Sequence, residues 1–132
     1  MKQLKQHDLQ SLVDALRRCG VVYAVLFGSA ARGELRADSD IDIAVAAEGP
    51  LSSEMRYGII NAISGISGRP IDLVDLKTAR GVLLARALQG RELFCDSVRA
   101  KGDALFRRVS VAEEDIAYAK KSFSMAQPRM FQ

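Results

Sequence analysis

Histidine is almost missing from this chain: His7 is the one example in 132 residues. Zinc sites built on histidine, and Ser-His or Cys-His catalysis, therefore have little to draw on. Cysteine is scarce too. Cys19 and Cys95 have neither metal-ligand spacing nor a disulfide framework, and read as reduced packing residues of a cytoplasmic protein. No apolar run reaches the roughly 18 residues of a membrane span, so no membrane partner is expected. Met1 to Asp8 lack the apolar stretch of a secretory signal. There is no Gly-x-x-x-x-Gly-Lys phosphate loop, no internal repeat and no low-complexity segment.

An excess of one charge is also absent from most of the chain. Residues 1–98 carry 12 basic and 12 acidic side chains, so the net charge of +3 resides wholly in residues 99–132. There Arg99, Lys101, Arg107, Arg108, Lys120, Lys121 and Arg129 are mixed with Asp103, Glu113, Glu114 and Asp115. Basic residues diluted by acids, with no cluster of base-stacking aromatics, argue against nucleic acid as a partner. Residues 98–109 and 111–125 suit helices, with Ile116, Tyr118, Ala119 and Phe123 as contact residues of the second. The extension reads either as an arm that docks on a partner or as a terminal helix resting on its own domain. The length suits one domain, residues 1–98, followed by this helical extension, residues 99–132.

What is present is concentrated in residues 21–42. Val21-Val22-Tyr23-Ala24-Val25-Leu26-Phe27 is short, β-branched and aromatic, the composition of a buried strand. Gly28 follows, able to take an unusual φ or to let another group approach the backbone closely. Ser29 to Gly33 can form a helical turn whose free N–H groups point back at the strand end and attract anions. The Ser29 hydroxyl adds a donor, and Arg32 a planar cationic fork for phosphate oxygens. Such turns also occur as plain strand–helix junctions, so the turn alone does not define a site.

Ten residues after Gly28-Ser29 comes Asp40-Ile41-Asp42-Ile43-Ala44-Val45. Side chains alternate along a strand, so Asp40 and Asp42 share a face, roughly 7 Å apart, opposite Ile41, Ile43 and Val45. Carboxylate oxygens so placed can converge on a hard cation such as magnesium, which also relieves their mutual repulsion. A third acid lies in the next apolar run, Ile71-Asp72-Leu73-Val74-Asp75-Leu76. Asp72 and Asp75 have opposite parity, so a regular strand offers at most one of them to the same face. Asp72, inside the run, is expected to be buried and in need of a metal, a cation or a hydrogen-bond network. Asp75, near the strand end, is expected to face solvent or to cap the helix after it. Asp72 is the preferred third acid and Asp75 the alternative.

The rest of the pattern is α/β. Asp8 is placed to cap a first helix with an apolar stripe at Leu9, Leu12, Val13 and Leu16, ended at Cys19-Gly20. Ser52 or Ser53 can start a second, with Met55, Ile59, Ile63 and Ile66 at helical spacing. A third strand spans residues 71–76, another helix 79–89, and Arg91 to Cys95 suits a short edge strand. The sum is a small mixed sheet with flanking helices.

Together, Gly28-Ser29-Ala30-Ala31-Arg32-Gly33, Asp38-Ser39-Asp40-Ile41-Asp42 and a later strand acid resemble the active-site signature of the DNA polymerase beta-like nucleotidyltransferases. More narrowly, the segment is similar to the minimal nucleotidyltransferases, commonly the antitoxin halves of toxin–antitoxin pairs with a helical HEPN ribonuclease. The resemblance spans about residues 8–98, and no element of the motif is missing. It implies that Gly28 and Ser29 hold a triphosphate, with Arg32 at the motif's basic position. It further implies that Asp40, Asp42 and Asp72 ligate two magnesium ions, and that Asp72 either assists removal of the acceptor proton or serves as ligand alone. The implied substrate is ATP, the implied acceptor a tyrosine of the HEPN toxin, and the implied state a hetero- or homo-oligomer. Two other readings use the same core: transfer to a small molecule, as in aminoglycoside-modifying enzymes, and a non-catalytic antitoxin that acts by occlusion.

Overall fold

The computed structural model describes residues 4–36 and 38–109. The elements run α1 (Gln6–Arg18), β1 (Tyr23–Phe27), α2 (Gly28–Arg32), β2 (Ile41–Ala46), α3 (Ser53–Ser67), β3 (Ile71–Asp75), α4 (Gly81–Leu88) and β4 (Arg91–Cys95). Residues 98–109 form one more helix, here α5. The second helical stretch expected in the extension, residues 111–125, lies outside the described residues.

The strands make one mixed sheet in the order β3-β2-β1-β4. β1 runs antiparallel to both β2 and β4, whereas β2 and β3 are parallel. Parallel strands need a long crossover, and α3 supplies it. Alternation then divides the core. Leu26, Ile41, Ile43, Val45 and Leu73 pack on the α1/α3 side with Leu12, Leu16, Ile59 and Ile63. Tyr23, Val25, Phe27, Ala44, Ala46 and Val74 pack on the other side with Leu84 and Ala87 of α4 and Ala100 and Ala104 of α5. Each large aliphatic side chain so enclosed contributes roughly 1.5–3 kcal/mol.

Helix ends follow local chemistry. The Ser52 hydroxyl accepts from the Met55 amide at 3.1 Å, the expected cap of α3. α1 differs from expectation: it begins two residues before Asp8, after Lys5, with no side-chain cap. Asp8 therefore lies inside the first turn, where its charge still favours the positive end of the helix dipole. α4 is shorter than the pattern suggested, and the carbonyl of Asp75 accepts the amides of Thr78 and Ala79 ahead of it. α5 is tied to that same turn, since the Arg107 guanidinium donates to the carbonyls of Leu76 and Ala79.

Candidate active site

The site forms at one end of the sheet, where three strands bring unlike residues into a row. Phe27 of β1 is paired with Asp42 of β2, and Asp42 with Asp72 of β3. The parallel register puts the two carboxyls side by side on the face that carries Phe27, Val25 and Val74. They are close enough for the charge of one to act on the other. Burial, then the neighbouring Asp72 charge, pushes the Asp42 carboxyl above the ordinary carboxylate range, and Asp40 adds to the repulsion.

Gly28 completes the row from below. Its φ of +68° lies in the left-handed region, and the Asp42 carboxylate rests against it. A Cβ at this position would fall 3.1 Å from Asp42 Cγ and overlap Oδ2. Both properties expected of Gly28, unusual φ and close approach, are thus used at once. α2 follows as a single turn, ended by Gly33 at φ +70°. Ser29 is half-buried there, and Arg32 is exposed, its Nε held 3.0 Å from Glu34 Oε2.

The other residues fall as follows. Asp40 is exposed, one residue before β2 begins, near enough to Asp42 to act on its charge. Among the described residues no three His, Cys, Asp or Glu side chains are drawn together into a cluster that could hold a metal ion. The closest association is the Asp42–Asp72 pair, with Asp40 beside it.

The burial expected of the two β3 acids is reversed. Asp72 is exposed, because β3 is an edge strand and the face that carries Asp72 is left open there, while Ile71 on the other face packs on the core. Asp75 is 3% exposed, with Oδ2 accepting from the Leu51 amide and Oδ1 from the Lys77 amide, each at 2.9 Å. Two backbone donors satisfy its carboxylate, and neither solvent nor metal is needed.

One residue at the site has no signal in the sequence. Arg86 of α4 is close enough to attract the charge of Asp42. With Phe27, Gly28, Ala31, Arg32, Gln89 and Gly90 it lines a cleft of about 250 Å³ beside α2. The residue carries no local motif, and a lone arginine in an eight-residue helix looks like any solvated one. Only the packing of α4 across β1 brings it here.

The glycine-seated carboxylate pair and the arginine-flanked cleft thus lie together at one end of a small mixed sheet. The chain belongs to the polymerase beta nucleotidyltransferase family, in its minimal nucleotidyltransferase branch; the family's model matches residues 10–99. It is 30% identical over 128 residues to the protein adenylyltransferase MntA of Shewanella oneidensis, covering 96% of this chain and 81% of that protein. The fold is similar to a chain in a toxin–antitoxin crystal structure with AMP-PNP, with TM-score 0.69 and 23% identity over 92% of this chain and 98% of that one. It is also similar to a chain in a complex of a tri-AMPylated Shewanella oneidensis HEPN toxin with its MNT antitoxin. There the TM-score is 0.65 and the identity 22%, over 96% of this chain and 99% of that one.

Proposed function

We propose that this protein is an antitoxin that transfers AMP from ATP, with magnesium, to a tyrosine of a partner HEPN ribonuclease and so neutralises it. The observation that carries the reading is the Asp42–Asp72 carboxyl pair held over Gly28 at the open end of the sheet. The similarity to an adenylyltransferase supports the chemistry, and that to a chain found with an AMPylated HEPN toxin supports the acceptor. A pure occlusion mechanism would not require the pair, which raises the energy of the free protein by repulsion.

The residues fit magnesium by their chemistry. Asp42 and Asp72, with Asp40 beside them, offer only hard oxygen donors, and the crowded charge of Asp42 is what a bound cation would neutralise. Bound there, two ions would supply charge stabilisation to the attacking and leaving oxygens. Gly28 and Ser29 receive the triphosphate, with backbone and hydroxyl donors directed at its oxygens. The acceptor phenol oxygen forms its bond to the α-phosphorus, the bond from that phosphorus to the bridging oxygen breaks, and pyrophosphate leaves. Asp72, open to solvent at the strand edge, takes the phenolic proton.

The core is read as residues 1–98 and the extension, 99–132, as the docking arm. The outward apolar residues of its described part support the docking role, although its inner face packs with the core. α5 buries Ala100 and Ala104 against the sheet and turns Leu105, Phe106 and Val109 outward, with Phe106 71% exposed. Among the described residues no helix is long and apolar enough to cross a membrane, and the reading puts the reaction in the cytoplasm, where the ribonuclease meets RNA and ATP.

The test is intact-mass spectrometry of the co-purified partner after incubation with this protein, magnesium and ATP, beside a control carrying Asp40→Asn and Asp42→Asn. Adenylyl increments on the partner that require the carboxylates are expected. A stable complex that binds ATP and gains no mass would overturn the proposal.

A further inference from the structure

Two stretches of chain line the cleft beside α2: Phe27, Gly28, Ala31 and Arg32 come from β1 and α2, and Arg86, Gln89 and Gly90 from α4 and the turn after it. Gly28, the residue that seats Asp42, is also part of its lining. The two arginines differ in one respect. Arg32 is engaged with Glu34, whereas Arg86 has no ion-pair partner among the described residues.

The wall that carries Arg86 is fixed in place. Gly90, just beyond α4, is pressed onto β1: a Cβ there would come 2.8 Å from Phe27 Cβ and 2.9 Å from Val25 Cγ1, and would overlap the Leu26 carbonyl. Leu84 and Ala87, flanking Arg86, are fully enclosed in the core on the same face. The Arg86 guanidinium therefore projects from a rigid helix over a cleft too small and too polar to need a large apolar guest. A free, solvent-facing arginine fork at that spot matches the non-bridging oxygens of a phosphate chain.

We propose that Arg86 binds the pyrophosphate half of the nucleoside triphosphate, from α4, in the cleft it shares with Arg32. The assignment rests on the nucleotidyl-transfer reading and adds to it a ligand from a different element, one that selects triphosphate over monophosphate. During transfer the bond between the α-phosphorus and the bridging oxygen breaks. Charge grows on the departing pyrophosphate, where a guanidinium already in place stabilises it.

The experiment is equilibrium binding of ATP, inorganic pyrophosphate and AMP, each with magnesium, to the full-length protein and to its Arg86→Ala and Arg86→Lys variants. Thermal melts establish that each variant is folded. Arg86→Ala should weaken ATP and pyrophosphate about 10- to 100-fold, leave AMP unchanged and keep the wild-type melting temperature. Arg86→Lys should recover part of the loss, since it restores charge without the fork. Unchanged ATP affinity in Arg86→Ala would overturn the proposal, as would equal losses for ATP and AMP or a fall in melting temperature that explains the loss. The readout is binding alone, so it is separable from the acceptor assignment. A wild type that binds ATP through Arg86 yet modifies no partner would refute the acceptor and leave this assignment standing.

Discussion

The carboxylate of Asp42 lies against the Cα of Gly28, so close that no side chain fits between them. Glycine is required there twice, for the contact and for its φ of +68°. Gly28→Ala should cost about 1–2 kcal/mol from the left-handed backbone. It should also push Asp42 off its seat, and a misplacement of roughly 1 Å at a reacting centre costs about 100-fold in rate. Urea denaturation beside a transfer assay separates the two effects. A variant that loses stability but transfers normally would mean that the seat of Asp42 is unimportant.

Asp42 itself should be a burden to the metal-free fold. Its native pKa is raised above the ordinary 3.8, so the native state holds its proton more tightly than the unfolded chain does. Stability therefore falls as pH rises from 3.8 through the raised native value. Asp42→Asn removes that loss. In chelator at neutral pH the variant should melt above wild type, and the difference should vanish as pH drops below 3.8. Magnesium should raise the wild-type melting temperature and raise that of the variant less. Melting curves at several pH values, with and without magnesium, test each part.

The two acids of β3 should behave as opposites. Asp72→Asn should abolish transfer and leave the fold intact, since the residue is exposed and paired only with Asp42. Asp75→Ala should cost about 3 kcal/mol, because the amides of Leu51 and Lys77 lose a charged acceptor inside the protein. Transfer per folded molecule should be unchanged at low temperature. If Asp75→Ala abolished transfer with the fold retained, the wrong acid would have been chosen.

That pair also marks how far sequence reasoning reaches. Parity along β3 allowed only one acid to join Asp42, and Asp72 is the one alongside it. Burial does not follow from parity, because it depends on the neighbours of a strand, and β3 lies at the sheet edge, where only its last three residues are fully buried. The glycine–serine turn, the Asp-x-Asp strand and the capped α3 were legible because each follows from residues a few positions apart. Arg86 and Gly90 were not. Their meaning comes from α4 crossing β1, a contact between segments about 60 residues apart along the chain.

Far from the site, Arg17 joins α1 to β4 and the residue after it by two interactions with different pH behaviour. Its Nε and Nη2 donate to Asp96 at 2.8 and 2.9 Å, and its guanidinium lies 4.6 Å from the centre of the Phe94 ring. The hydrogen bond from Arg17 holds Asp96 below the ordinary carboxylate value of 3.8. A lowered native pKa means that the carboxylate adds stability above 3.8 and loses it as pH falls through the lower native value. The ring contact needs only the arginine charge, which persists throughout. Asp96→Asn should therefore lower the melting temperature slightly at neutral pH, with no difference from wild type once Asp96 is protonated. Arg17→Ala should lower it at both ends of the range. High salt should shrink the Asp96 effect, since both groups are exposed at the surface. Melting temperatures of the two variants across acid and neutral pH would decide the matter. If they converged on wild type together in acid, the Phe94 contact would contribute nothing and the ion pair would be the whole of the link.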